Sequence, residues 1–150
     1  MKTTMQTVTW RFNDCITAYP ETPNKKVYIQ SPQDIYDNFA YMFRQQVRER
    51  FIVFWLNSAN RVTGFEIVTE GLLNSSLTHP REVFRGAIVA TCASIIIAHN
   101  HPSGNLEPSR EDITITKQIV EAGKILGIPV HDHIIFTDES FTSFLEKGLI

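Results

Sequence analysis

The sequence predicts an α/β protein, a mixed β-sheet flanked by helices in a three-layer-like sandwich, and three observations predict it. Segments 51–56 and 62–70 read as strands joined by Asn57-Ser58-Ala59-Asn60-Arg61, a hairpin-like connection. Ser94-Ile95-Ile96-Ile97-Ala98 is a near-continuous β-branched run of the kind a buried strand needs. Ile113, Thr116, Ile119, Val120, Gly123 and Leu126 recur at helical spacing, so helices alternate with strands along the chain.

The elements follow in order. Residues 1–24 are polar, with Pro20 and Pro23 and one short alternating piece at Val8-Thr9-Trp10-Arg11-Phe12; they read as an N-terminal arm or added edge strand. The domain proper is expected over 25–150. Val27-Tyr28-Ile29 suggests a short strand, and Ser31-Pro32 supplies an N-cap and a first-turn proline. Ile35, Phe39, Met42, Phe43 and Val47 then form one helical stripe facing the core, with Arg44, Arg48 and Arg50 on a solvated face. A helix near 80–92 precedes the 94–98 strand. The helix near 110–126 ends at Gly127, before Pro129, and a strand carries His131-Asp132-His133-Ile134-Ile135-Phe136.

Composition bounds the function. The 150 residues are 43% hydrophobic and 20% charged, which suits one domain that buries about two-thirds of its unfolded surface. A net charge of −2 and a pI near 6.2 leave no bulk electrostatic footprint for nucleic acid, so direct nucleic-acid binding is not expected. Cys15 and Cys92 lie far apart and read as reduced thiols. Neither a secretory pattern nor a membrane-length apolar run is present, and a cytoplasmic location is expected.

The chemistry concentrates in His99-Asn100-His101-Pro102-Ser103-Gly104 and Pro108-Ser109-Arg110-Glu111-Asp112. Strand alternation puts His99 and His101 on one side and turns Asn100 away. Pro102, Ser103 and Gly104 open a loop. Ser109 is placed to cap the next helix, so Asp112 falls in its first turn and points back at the two imidazoles. Ser-x-x-Asp alone is an ordinary capping box, and His-x-His alone is commonly two unrelated polar residues. Together they read as two neutral imidazoles and a carboxylate with a fourth tetrahedral position open, the arrangement of a catalytic zinc site with one Zn2+ per chain. Hydrolysis also needs a base, and Glu49, Glu66, Glu70, Glu82, Glu107 and Glu111 are the candidates.

These residues resemble the JAMM motif of the MPN-domain metallopeptidases. More narrowly, with the flanking His79-Pro80-Arg81-Glu82-Val83-Phe84 and Asp132-His133-Ile134-Ile135, they look like the bacterial RadC family over about residues 31 to 150. The resemblance implies an MPN/JAMM-like fold and metal ligation by His99, His101 and Asp112. It also implies that Ser109 steadies an oxyanion and that Glu49, at the head of an apolar strand, is the base, with Glu66 the runner-up. Asn100 stands where the wider group usually has serine or threonine, as is typical of the RadC branch. Asp132 or His133 is expected to support the site wall, a second metal pair at His131 and His133 is not expected, and His79 reads as a loop residue before a helix. The helix-hairpin-helix region usual in full-length RadC proteins has no counterpart in these residues.

The implied function is a zinc-dependent metallopeptidase that cleaves a peptide or isopeptide bond in an unidentified peptide or protein substrate. The alternative is a metal-stabilised, non-catalytic interaction module linked to DNA repair or mobile elements. An HNH nuclease is discounted, because its residues are dispersed over a ββα unit rather than consecutive. Substrate and oligomeric state are not legible.

Overall fold

The computed structural model describes residues 7, 9, 25–71 and 78–150; the expected arm over 1–24, Cys15 included, lies outside the continuous described segments. Helix α1 (Pro32–Phe39) starts where Ser31-Pro32 predicts, with the Asp34 carboxylate accepting the Ser31 N–H at 2.8 Å. It runs into a 3₁₀ turn at Ala40–Met42 and stops. Ile35, Phe39, Met42 and Phe43 are buried as expected, but Val47 is 90% exposed and does not belong to the core stripe. The helix ends early because Gln45 takes φ 57° and its N–H is held by the Asp138 carboxylate at 2.9 Å. Arg48 and Arg50 are therefore not on a helical face. Arg50 enters strand β1, where its guanidinium bonds the Met42 carbonyl and Glu70, each at 2.7 Å.

β1 (Glu49–Leu56) and β2 (Val62–Gly71) form the expected antiparallel hairpin, β1 starting two residues before the apolar run. The Asn57 side chain organises the turn by accepting the Ala59 and Arg61 N–H groups at 3.0 Å, with Asn60 in the left-handed region at φ 56°. Of Val27-Tyr28-Ile29, only Tyr28 makes an isolated bridge, to Arg61. Helix α2 (Pro80–Val89) ends short of residue 92, since Thr91 takes φ 49°.

β3 (Ser94–Asn100) is buried along its whole length. Helix α3 (Arg110–Leu126) is closed by Gly127 at φ 69°, a conformation only glycine adopts without strain. β4 (Val130–Phe136) and β5 (Phe141–Ser143) complete a five-stranded sheet of order β2-β1-β3-β4-β5. Only β3 and β4 are parallel, and α3 is the crossover that such a pair requires.

Period-two alternation divides the core. Ile52, Phe54, Leu56, Ile96, Ala98, Ile134 and Phe136 pack toward Ile35, Phe39 and Phe43 on one face. On the other face Phe51, Val53, Ile95 and Ile97 pack against Val83, Phe84 and Ala87 of α2 and Ile119 of α3. The predicted three-layer α/β architecture is the one observed. α3 sits tightly here: a Cβ on Gly123 would lie 2.6 Å from the Ile128 carbonyl oxygen. Among the described residues no helix is long and apolar enough to cross a membrane.

Candidate metal centre

The C-terminal end of β3 delivers the two histidines. His99 is its penultimate residue, fully buried on the α2–α3 face. His101 lies just past the strand, yet its N–H still bonds the Phe136 carbonyl of β4 at 2.8 Å, which carries the extended pairing on and keeps both imidazoles on one side. The chain then turns, with the Gly104 N–H on the His101 carbonyl at 3.0 Å and Gly104 at φ 79°.

Ser109 caps α3 reciprocally: its Oγ accepts the Asp112 N–H at 3.0 Å, and the Asp112 carboxylate accepts the Ser109 N–H at 2.7 Å. This fixes the carboxylate against the strand end. Asp112 Oδ1 lies 3.3 Å from His99 Nε2 and Oδ2 lies 3.3 Å from His101 Nε2, while the two Nε2 atoms are 3.0 Å apart. One ligand atom from each residue falls within 4.8 Å of the others, which makes His99, His101 and Asp112 a group that could hold a metal ion. Among the described residues it is the one such group.

The hydrogen-bond partners of the rings place their protons. The Asn105 carbonyl lies 2.6 Å from His101 Nδ1 and can only accept, so Nδ1 carries a proton and Nε2 faces the cluster. His99 Nδ1 lies 2.7 Å from His133 Nε2, and His133 Nδ1 lies 2.6 Å from the Thr116 hydroxyl. Two nitrogen donors and a carboxylate converging at about 3 Å concentrate electron density that only a proton or a cation between them relieves. The donor set therefore fits a divalent metal, with imidazole and carboxylate ligands of the kind zinc accepts. Without metal the cluster shares protons. The hydrogen bond to Asp112 raises His101 above its usual range against the opposing effect of burial. Burial would raise the Asp112 carboxyl, but hydrogen bonds from His101 and the Ser109 N–H, with the nearby His99 acting in the same direction, outweigh it and hold the group far below the carboxylate range.

The remaining sequence candidates separate by position. Phe51 pairs with His99 across the antiparallel β1–β3 ladder, so Glu49 stands level with His101, near enough that its charge contributes to raising that imidazole. Asn100 turns away, as alternation requires, and its side-chain amide accepts the Arg50 N–H at 2.7 Å and donates to the Arg48 carbonyl at 3.1 Å. It thereby clamps the backbone on both sides of Glu49. The other glutamates are engaged elsewhere. Glu66 pairs with Arg85 at 2.7 Å and Glu82 with Arg85 at 2.9 Å. Glu70 pairs with Arg50 at 2.7 Å and Glu107 with Lys147 at 2.8 Å, while Glu111 is exposed.

His79 is the N-cap of α2, its Nδ1 accepting the Arg81 N–H at 3.1 Å. His131 is exposed, and the β4 pair splits across the sheet. His133 reaches His99, whereas Asp132 faces a groove of about 190 Å3 lined by Ile29, Pro32 and Ile134 and ties β4 to the C-terminal segment. Its carboxylate accepts from Ser143 Oγ at 2.6 Å and the Leu145 N–H at 3.0 Å. Burial pushes the Asp132 carboxyl up. The sequence reading missed two residues, Asn100 as a clamp and Thr116 as a polar partner. A signal for Thr116 existed, since it lies one helical turn after Asp112 and so on the same face.

Residues 29–149 match the family described as RadC-like JAB domain. Similar curated proteins include a UPF0758 protein of Methanosarcina mazei, 43% identical over 135 residues that cover 90% of this chain and 58% of the relative. A UPF0758 protein of Desulforamulus reducens is 49% identical over 125 residues, 83% of this chain and 55% of the relative. One of Geobacter sulfurreducens is 47% identical over 120 residues, 80% of this chain and 52% of its own length. The chain thus spans little more than half the length of these relatives. With a mixed sheet flanked by helices, a His-x-His strand end facing a capped aspartate, and a family match over nearly all the described residues, the chain belongs to the RadC-like JAB domain family.

Proposed function

We propose that this chain is a zinc-dependent hydrolase of a peptide or isopeptide bond in a peptide or protein substrate. The observation that carries the reading is the convergence of His99 Nε2, His101 Nε2 and an Asp112 carboxylate oxygen within 4.8 Å, with a glutamate level with His101 on the neighbouring strand. Bound there, zinc would act as a Lewis acid that polarises the scissile carbonyl and acidifies the attacking water.

The chain's own residues supply the rest. Glu49, held at the head of β1 by the Asn100 clamp, takes the proton from the water and returns it to the leaving amine. Ser109 Oγ accepts the Asp112 N–H, which leaves its own proton to be donated to the oxyanion. Asp112, held ionised by its hydrogen bonds, keeps its charge for the cation.

The test is turnover of a panel of fluorogenic peptides and isopeptide-linked conjugates by the zinc-loaded chain. Glu49→Gln is expected to retain zinc and to lose turnover by about 10²- to 10⁴-fold, the usual contribution of a positioned acid–base group. Undiminished turnover in Glu49→Gln would remove Glu49 from the mechanism. Wild-type chain that binds zinc and a protein partner but turns over nothing would favour the interaction-module reading.

A further inference from the structure

His133 and Thr116 lie behind the metal cluster, and no step of the proposed hydrolysis uses them. His133 is fully buried on β4 between the rings of Phe51 and Phe144, with centroid separations of 5.7 and 4.5 Å. Both its ring nitrogens are engaged, Nε2 with His99 Nδ1 at 2.7 Å and Nδ1 with Thr116 Oγ1 at 2.6 Å. Thr116, also buried, lies 2.5 Å from the Asp112 main-chain carbonyl.

The direction of this chain of bonds follows from what each atom can do. A carbonyl only accepts, so the single hydroxyl proton of Thr116 goes to Asp112. The Thr116 oxygen must then accept from His133, which places the His133 proton on Nδ1. His133 is neutral, since full burial between aromatic rings disfavours the cation, and its Nε2 is left as an acceptor. His99 therefore donates from Nδ1, and the lone pair of its Nε2 is turned toward His101 and Asp112. Any reversal along the chain would put a proton on His99 Nε2 and close that donor to a cation. The sequence of bonds begins at the main-chain carbonyl of one cluster residue, Asp112, and ends on the ring of another, His99. It thus ties the helix that carries the carboxylate to the strand that carries the imidazoles.

We propose that His133 and Thr116 are positioning residues that fix the tautomer and ring orientation of His99, and so set the metal affinity of the cluster. The proposal rests on the cluster being a metal site and extends it to residues outside the ligand set. A partner of this kind on the far nitrogen of a ligating histidine is worth about 10- to 100-fold in metal affinity.

The experiment measures zinc affinity of the whole chain by competition with a chromophoric chelator, with the thermal midpoint of each metal-free protein as the control for folding. His133→Met removes the acceptor for His99 and is expected to weaken zinc binding by about 10- to 100-fold. His133→Gln restores an acceptor oxygen near the position of Nε2 and is expected to recover most of that loss. Thr116→Val removes the hydroxyl with little change of shape and is expected to weaken binding by about 10-fold, whereas Thr116→Ser keeps it. Met and Val variants that fold and bind zinc as tightly as wild type overturn the proposal, as does a Gln variant no better than Met. Should His133→Met fail to fold, the Thr116 pair decides alone: Val weaker than Ser supports the relay and Val equal to Ser overturns it. A wild-type chain that takes up no zinc overturns the metal reading itself, a result distinct from equal affinity across the variants.

Discussion

Asp112 favours the protonated form of His101 in the metal-free protein. The hydrogen bond between them raises the imidazole above 6.5, so in the metal-free protein His101 contributes stability that is complete below that value and lost as pH rises through its folded value. Asp112 is depressed, so its contribution is present above 3.8 and lost as pH falls through its folded value. The proton-sharing pair therefore helps the metal-free fold most between these limits. A divalent cation needs His101 Nε2 unprotonated, so zinc is expected to raise the thermal midpoint more at pH 8 than at pH 5.5, as read by scanning calorimetry. An increment that did not change with pH would contradict the assigned donors. Asn100 makes a separate prediction. Asn100→Ala leaves the Arg50 N–H and the Arg48 carbonyl without their partner, at about 2 kcal/mol in urea unfolding, while zinc content stays unchanged. That His99, His101 and Asp112 come together was legible because two rules suffice for it, the period of a strand and the reach of a first-turn carboxylate. The partners of Asn100 and the contact of His133 with His99 were not, because they depend on β3 lying between β1 and β4, and no local pattern encodes that order; the resemblance gave His133 only a general place at the site wall.

At the level of elements, α3 carries the site and its two ends explain its precision. Ser109→Ala removes the oxygen that accepts the Asp112 N–H and is expected to cost about 1 kcal/mol of stability as well as lowering turnover. Ser109→Asp, which restores a capping acceptor without a hydroxyl proton at neutral pH, is expected to recover stability and not turnover, separating the cap from the oxyanion role. Gly123→Ala would gain about 1 kcal/mol of helix propensity in an isolated helix. Here it is expected to destabilise by about 1–3 kcal/mol net, because the new Cβ meets the Ile128 carbonyl oxygen at 2.6 Å and pushes α3 off the loop into β4. Equilibrium urea unfolding reads both effects. The start of α1, the β1–β2 hairpin and both ends of α3 were legible, since each carries its own cap or turn residue. The end of α1 was not. Met42, Phe43 and Val47 continue an apolar spacing that the chain abandons, because a tertiary bond from Gln45 to Asp138 sets the exit.

Over the whole molecule, one sheet separates two apolar layers, and the His99–His101–Asp112 cluster sits at the end of its central strands on the α2–α3 side. The three-layer class and a mixed sheet were legible from alternating helix and strand patterns, whereas the parallel β3–β4 pair with α3 as its crossover emerges only from the fold. With two cores that do not include the ligands, the chain is expected to stay folded when a chelator removes metal, losing thermal midpoint without losing its far-ultraviolet circular dichroism; unfolding on chelation would make the metal structural. The direct measurement is metal content by mass spectrometry of chain purified without added metal, for wild type, His101→Ala and Asp112→Ala. About one zinc per wild-type chain, lost in both variants while they remain folded, is the expected result. A folded wild-type chain that holds no stoichiometric metal and cannot be loaded with it would contradict the metal centre on which the hydrolase reading stands.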